Sequence, residues 1–133
     1  MSEYTKHLTP RPELRERIIE TAVEAFSAHG IKSITMDDIA TSLGISKRTL
    51  YEVFSDKETL LEECILKGQK EGDEFLRNVL ATSENVLEVL LKCYQRSIEQ
   101  FHATNKKFFE DIKKYPKAYE LMTSDTIRTR KRR

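Results

Sequence analysis

Glycine and proline are scarce, at four and three in 133 residues. An all-β domain built on tight turns uses more of both, so the chain reads as mostly helical. Cysteine is nearly missing as well: Cys64 and Cys93 stand 29 positions apart, with neither CxxC nor Cys/His ligand spacing. That indicates neither a zinc site nor a disulfide framework, and buried free thiols are the plain reading of both. Long apolar runs are absent, and stretches such as residues 89–91 fall far short of the roughly 18 residues of a membrane span. Residues 1–10 are polar, with Glu3, Lys6 and His7 and no apolar segment. No secretory signal and no membrane partner is expected, and the cytoplasm is the expected location.

Catalytic signatures are lacking too. Histidine occurs three times, and no GxGxxG, Walker, HExxH or GxSxG motif is present, so neither catalysis nor a cofactor or metal is expected. His29 and His102 fall near helix C-termini, where capping or solvent exposure is their reading. A surplus of charge is missing as well: 23 Lys and Arg face 22 Asp and Glu, a net charge of +1, where nucleic-acid binding usually leaves a basic balance. The total hides location. Residues 1–62 hold 8 basic and 11 acidic side chains, residues 63–133 hold 15 and 11, and five of the basic ones fall in residues 128–133. That tail reads as the exposed face of an interrupted helix, whereas phosphate would meet only one face of the molecule.

What is present is helical periodicity. Leu14, Ile18, Ala22, Ala25 and Phe26 recur at helical spacing over residues 12–29, and Gly30 supplies a left-handed stop. Thr35 is an N-cap ahead of Asp37 and Asp38 for a short helix whose inner face is Met36, Ile39, Ala40 and Leu43. Gly44 and Ile45 make a tight turn, and Ser46 caps a helix that ends near Phe54. Ser55 with Glu58 reads as a capping box for a longer helix with Leu61, Ile65, Gly68, Gly72, Phe75, Leu76 and Val79 inside, the glycines marking a bend or a close helix contact. Ser83 or Asn85 begins a helix with the apolar face Val86, Leu87, Leu90, Leu91, Tyr94, Ile98 and Phe101. Phe108, Phe109, Ile112 and Tyr115 line a shorter one, and Pro116 opens the last.

Residues 35–51 have the layout of a helix-turn-helix, in which the second helix puts its first residues into the major groove. Ala40 is small where helices approach, Gly44 permits the turn, and Lys47, Arg48, Thr49 and Tyr51 project from the second helix. Lys and Arg donate to guanine or phosphate, Thr meets a thymine methyl or a phosphate, and Tyr reaches phosphate. A solvated basic turn on an ordinary helical bundle has the same periodicity.

Thr35, Ile39, Ala40, Leu43, Gly44, Ile45, Ser46, Thr49, Leu50, Tyr51, Phe54, Lys57, Leu60 and Leu61 resemble the N-terminal signature of TetR/AcrR-type transcriptional regulators. The likeness is specific over about residues 15–61 and architectural beyond. It implies an all-α chain, with a three-helix helix-turn-helix DNA-binding domain over residues 1–55. Part of a helical ligand-binding and dimerisation domain follows over 56–133. It also implies that Thr35, Tyr51 and Lys57 contact phosphate while Lys47, Arg48 and Thr49 read the groove of a palindromic double-stranded operator. Arg48 stands where the family often has a small residue or proline, and Val53 where an aromatic is common.

The resemblance further implies a repressor released by a small apolar or aromatic inducer. Phe75, Val79, Leu91, Tyr94, Ile98, Phe101, Phe109 and Ile112 are the pocket candidates, with plain core as the other reading of each. Members of the family usually continue into two long helices that form a four-helix dimer interface, which this chain does not supply. The expectation is a homodimer paired through an apolar face of the later helices, or a truncated regulator that binds DNA weakly.

Overall fold

A computed structural model describes the backbone of residues 11–131 and the side chains of 12–123. The polar residues 1–10 and the basic side chains of 128–133 lie outside the described residues. The described backbone is a succession of helices: α1 (Arg11–His29), α2 (Met36–Leu43), α3 (Lys47–Val53), α4 (Lys57–Thr82), α5 (Val86–Ala103), α6 (Lys106–Ile112) and α7 (Pro116–Lys131). No helix among the described residues is long and apolar enough to cross a membrane.

α1 buries Leu14, Ile18, Ile19, Ala22 and Phe26, one stripe of the helix. Burial of Ile18 and Phe26, both nearly inaccessible, stabilises the fold by roughly 1.5–3 kcal/mol each. Gly30 ends the helix at φ 87, and its N–H donates to the Phe26 carbonyl at 2.8 Å. Thr35 caps α2 through a reciprocal box: its Oγ1 accepts the Asp38 N–H at 3.1 Å, and the Thr35 N–H donates to Asp38 Oδ2 at 2.9 Å. Gly44 closes α2 in the left-handed region at φ 72, which lets the Ile45 N–H return to the Ala40 carbonyl at 3.1 Å.

α4 departs from expectation at its start. Asp56, not Ser55, is the cap, its Oδ1 accepting the Thr59 N–H at 2.8 Å. Ser55 and Asp56 both have cap chemistry one residue apart, and the helix takes the carboxylate. Gly68 and Gly72 mark no close contact, since a Cβ at either would meet nothing within 4 Å. Asn85 caps α5, its Oδ1 accepting the Glu88 N–H at 2.9 Å, while Ser83 ends α4.

One hydrophobic cluster joins α1, α2, α3, the first turns of α4, Ile112 of α6 and Ala118 of α7. Residues Leu60, Leu61, Cys64 and Ile65 of α4 belong to the same cluster as Ile18 and Ile39. α5 stands apart and contributes no buried residue. It leans on α4 with half-buried Val89, Cys93 and Arg96, and Arg96 lies 4.7 Å from the centre of the Phe75 ring. Its apolar stripe, four of whose residues were expected to line a pocket, faces out: Val86, Leu87, Leu90, Leu91, Tyr94 and Phe101 are each more than half exposed. Cys93 likewise is only half-buried, whereas Cys64 is buried as expected.

Candidate nucleic-acid interface

α3 is held from below and left open above. Leu50, fully buried, anchors it, and Ser46 accepts the Thr49 N–H at 3.0 Å, so its first turn is ordered before any ligand arrives. Lys47 and Arg48 stand on the open side, with Arg48 90% exposed. Tyr51 is 42% exposed, and Thr49 is half-buried, its hydroxyl oxygen accepting from Ser46 Oγ at 2.9 Å. The Thr49 proton is thereby free for an outside acceptor. Thr35 has the same economy, since its oxygen serves the Asp38 N–H and its hydroxyl donates to no partner among the described residues.

Acidic neighbours hold the two cations loosely. Lys47 Nζ is 3.7 Å from Asp37 Oδ2, and Arg48 Nε is 3.7 Å from Glu52 Oε2, one turn on. Exposed pairs of that length contribute little, so a phosphate or base edge displaces them at small cost. These acids, missed as partners in the sequence, explain how a basic helix start hides inside a net-acidic segment. Asp37 lies on the preceding helix, and only the fold brings it to Lys47.

Lys57 is placed differently from the other five candidates. It opens α4 and is partly buried, its Nζ 6.0 Å from the centre of the Tyr115 ring. Burial lowers its pKa, an effect opposed by the charges of Asp111 and Asp38. The structure thus brings Thr35, Lys47, Arg48, Thr49 and Tyr51 onto the helix-turn-helix and sets Lys57 at its seam with the link between α6 and α7.

That seam carries further contacts with no local sequence signal. Asn105 donates from its backbone N–H to the Ser27 carbonyl at 2.7 Å and from Nδ2 to the Ala28 carbonyl at 3.2 Å. Asp111 Oδ2 accepts the Lys32 N–H at 2.9 Å. These partners are 77 to 79 positions apart, beyond the reach of any periodicity argument.

A second feature lies behind the seam. An open cavity of about 630 Å³ is bounded by α1, α4, α5, α6 and α7, with Ile65, Phe101, Phe108, Phe109 and Met122 as apolar walls and Gln69, Ser97, Gln100 and Thr104 as polar ones. The Phe101 and Phe109 rings stack at 5.8 Å. Of the expected pocket residues, Phe101 and Phe109 are brought together here. Ile112 is fully buried in the core instead, Val79 is buried near the C-terminal end of α4, and Leu91 and Tyr94 point outward. Phe75 lies against Arg96, and Ile98 is 37% exposed. Phe108, also named from the sequence as apolar surface for a pocket, is a wall here; Met122 and Gln69 were not anticipated, and their turn toward one void follows from α7 packing on α4 while α6 packs on α1.

This architecture defines an all-α helix-turn-helix protein with a helical body behind its head. Residues 18–64 match the family model of bacterial regulatory proteins of the TetR family, and through this segment the chain belongs to that family, one of transcription regulators rather than enzymes. It is 32% identical over 72 residues to the biofilm operon icaADBC HTH-type negative transcriptional regulator IcaR of Staphylococcus aureus (strain Newman), covering 54% of this chain and 37% of that protein. It is 31% identical over 101 residues to the uncharacterized HTH-type transcriptional regulator YhgD of Bacillus subtilis (strain 168), covering 73% of this chain and 52% of that protein. The chain therefore spans about half the length, or less, of these relatives. A solved structure assigned to the TetR family, from Mesorhizobium loti MAFF303099, shares the fold with a TM-score of 0.66 at 24% identity, over 85% of this chain and 60% of that one.

Proposed function

We propose that the protein is a sequence-specific DNA-binding transcription regulator that acts as a repressor. The observation that carries this reading is the ordered, outward first turn of α3, with Lys47 and Arg48 exposed above a buried Leu50. In this reading Lys47, Arg48 and Thr49 meet base edges in the major groove, and Thr35, Tyr51 and Lys57 meet phosphates. The naming of IcaR as a negative regulator supports repression. A homodimer on a palindromic operator supplies the affinity that one head lacks.

The cavity behind the seam takes a small apolar or aromatic inducer, its phenylalanines supplying stacking and Gln69 and Gln100 supplying orientation. Residues that wall the void sit on α6, whose Asp111 holds the Lys32 N–H. A ligand that moves α6 therefore moves a group bonded to the head. Selection of bound sites from random duplexes tests the reading: a two-fold symmetric site is enriched, and the Lys47→Ala, Arg48→Ala, Tyr51→Phe triple variant loses it. Equal enrichment by the triple variant, or none by the natural chain, rejects the interface.

A further inference from the structure

We infer that Tyr115, on the link between α6 and α7, is the positioning residue for the phosphate contact of Lys57. The inference rests on the preceding reading for the phosphate and goes beyond it in naming what aims the lysine. Tyr115 lies outside residues 18–64, which match the family model, so its part follows from this chain's own packing.

The ring has a fixed seat. The Tyr115 N–H donates to the Ile112 carbonyl at 3.0 Å, and the Tyr115 carbonyl accepts the Tyr119 N–H at 2.9 Å. Ile112 and Ala118, three residues to either side, are fully buried, and the half-buried Tyr115 side chain packs against the same core. Lys57 Nζ stands over this ring, 6.0 Å from its centre, at about the limit within which an aromatic face attracts an ammonium.

Lys57 is held there without being used up. The carboxylates of Asp111 and Asp38 attract it from a distance, yet it makes no ion pair and no side-chain hydrogen bond among the described residues. Lys47 and Arg48, by contrast, each have an acid at 3.7 Å. All three ammonium donors of Lys57 therefore remain for an outside acceptor. A free lysine loses rotamer freedom when it grips a phosphate, and an ammonium already held over a ring has given up part of it beforehand. The seat also ties the contact to the head, because Asp111, four residues before Tyr115, accepts the Lys32 N–H at 2.9 Å.

A double-mutant cycle on DNA affinity, measured by anisotropy on the duplex that the natural chain selects, tests the inference. Tyr115→Leu keeps apolar bulk and removes the ring, and it weakens binding about two- to fivefold, the worth of one exposed cation–π contact. Tyr115→Phe retains the ring and the affinity. In a Lys57→Ala background Tyr115→Leu causes no further loss, since the group that the ring aims is gone. A purely structural role would weaken both backgrounds alike, and urea midpoints of the same chains report any loss of fold. Tyr115→Met, more adaptable in shape, repeats the measurement where leucine does not fit. Equal losses in the two backgrounds, no loss on removal of the ring, or an equal loss from Tyr115→Phe overturns the proposal and leaves the DNA reading standing. A natural chain that selects no duplex overturns both.

Discussion

Two glycines occupy the left-handed region for different reasons, and substitution separates them. At Gly44, φ 72, a Cβ would meet nothing within 4 Å, so Gly44→Ala costs only the backbone term, about 1–2 kcal/mol. At Gly30, φ 87, a Cβ would stand 2.8 Å from Lys107 Cβ and 3.0 Å from Asp111 Oδ2. Gly30→Ala therefore loses more, because α6 must back away from the end of α1. Urea midpoints of the two variants measure the difference, and equal losses would remove α6 as the cause. The thiols differ in the same local way. Burial pushes the Cys64 thiol up to about 12, so little thiolate forms at neutral pH. Iodoacetamide on the native protein should label Cys93 and spare Cys64, as peptide mass mapping will report.

Caps and faces act at the scale of the element. The Thr35 N–H chiefly holds the Asp38 carboxyl below the ordinary range, and the Thr59 N–H does the same for Asp56. The unfolded chain takes up these protons first. The stabilisation of α2 and α4 is thus complete above the ordinary aspartate value of about 3.9 and fades as pH falls through the lower folded values. An Asp38→Asn, Asp56→Asn chain should show a flatter loss of stability below about pH 4, followed by circular dichroism in urea. For α3, Lys47→Ala or Arg48→Ala should change sequence preference by about 1–3 kcal/mol. Lys57→Ala should weaken all sequences alike and reduce the salt slope by about one. Anisotropy titrations on the selected duplex at several salt concentrations distinguish these outcomes.

Element scale is also where the sequence was most legible. Thr35, Ser46 and Gly44 each perform a local task that residue type and spacing announce, so the helix-turn-helix could be read before any coordinate. Asp56 was misplaced by one residue because Ser55 offers the same chemistry. The α5 stripe was legible as apolar but not as exposed: a 3.5-residue period tells that a helix has an apolar side and is silent about what covers it. Phe101 and Phe109 could be named as pocket walls from their type, whereas Ile112, with the same pattern, went to the core. Pattern does not separate a residue that faces a void from one that fills it.

Across the whole molecule, the head and the start of α4 share one core, in which Leu60 and Leu61 are fully buried beside Ile18 and Ile39. The division at residue 55 is therefore a division of tasks, and the two parts are proposed to unfold together. Leu61→Ala should destabilise by about 2–5 kcal/mol. Its circular dichroism and tyrosine fluorescence transitions in urea should still coincide, as one cooperative unit requires. A head that melts separately from α4 would contradict the shared core.

Asn105 adds a constraint of time. The carbonyls of Ser27 and Ala28 receive their donors from a residue 77 or more positions downstream, and closing so long a loop is slow. During synthesis the chain emerges from its N-terminus at about 5–20 residues per second. The last turn of α1 must therefore wait, with its carbonyls facing water, for several seconds after the recognition helix has left the ribosome. The recognition helix is thus made before the residue that completes the last turn of α1.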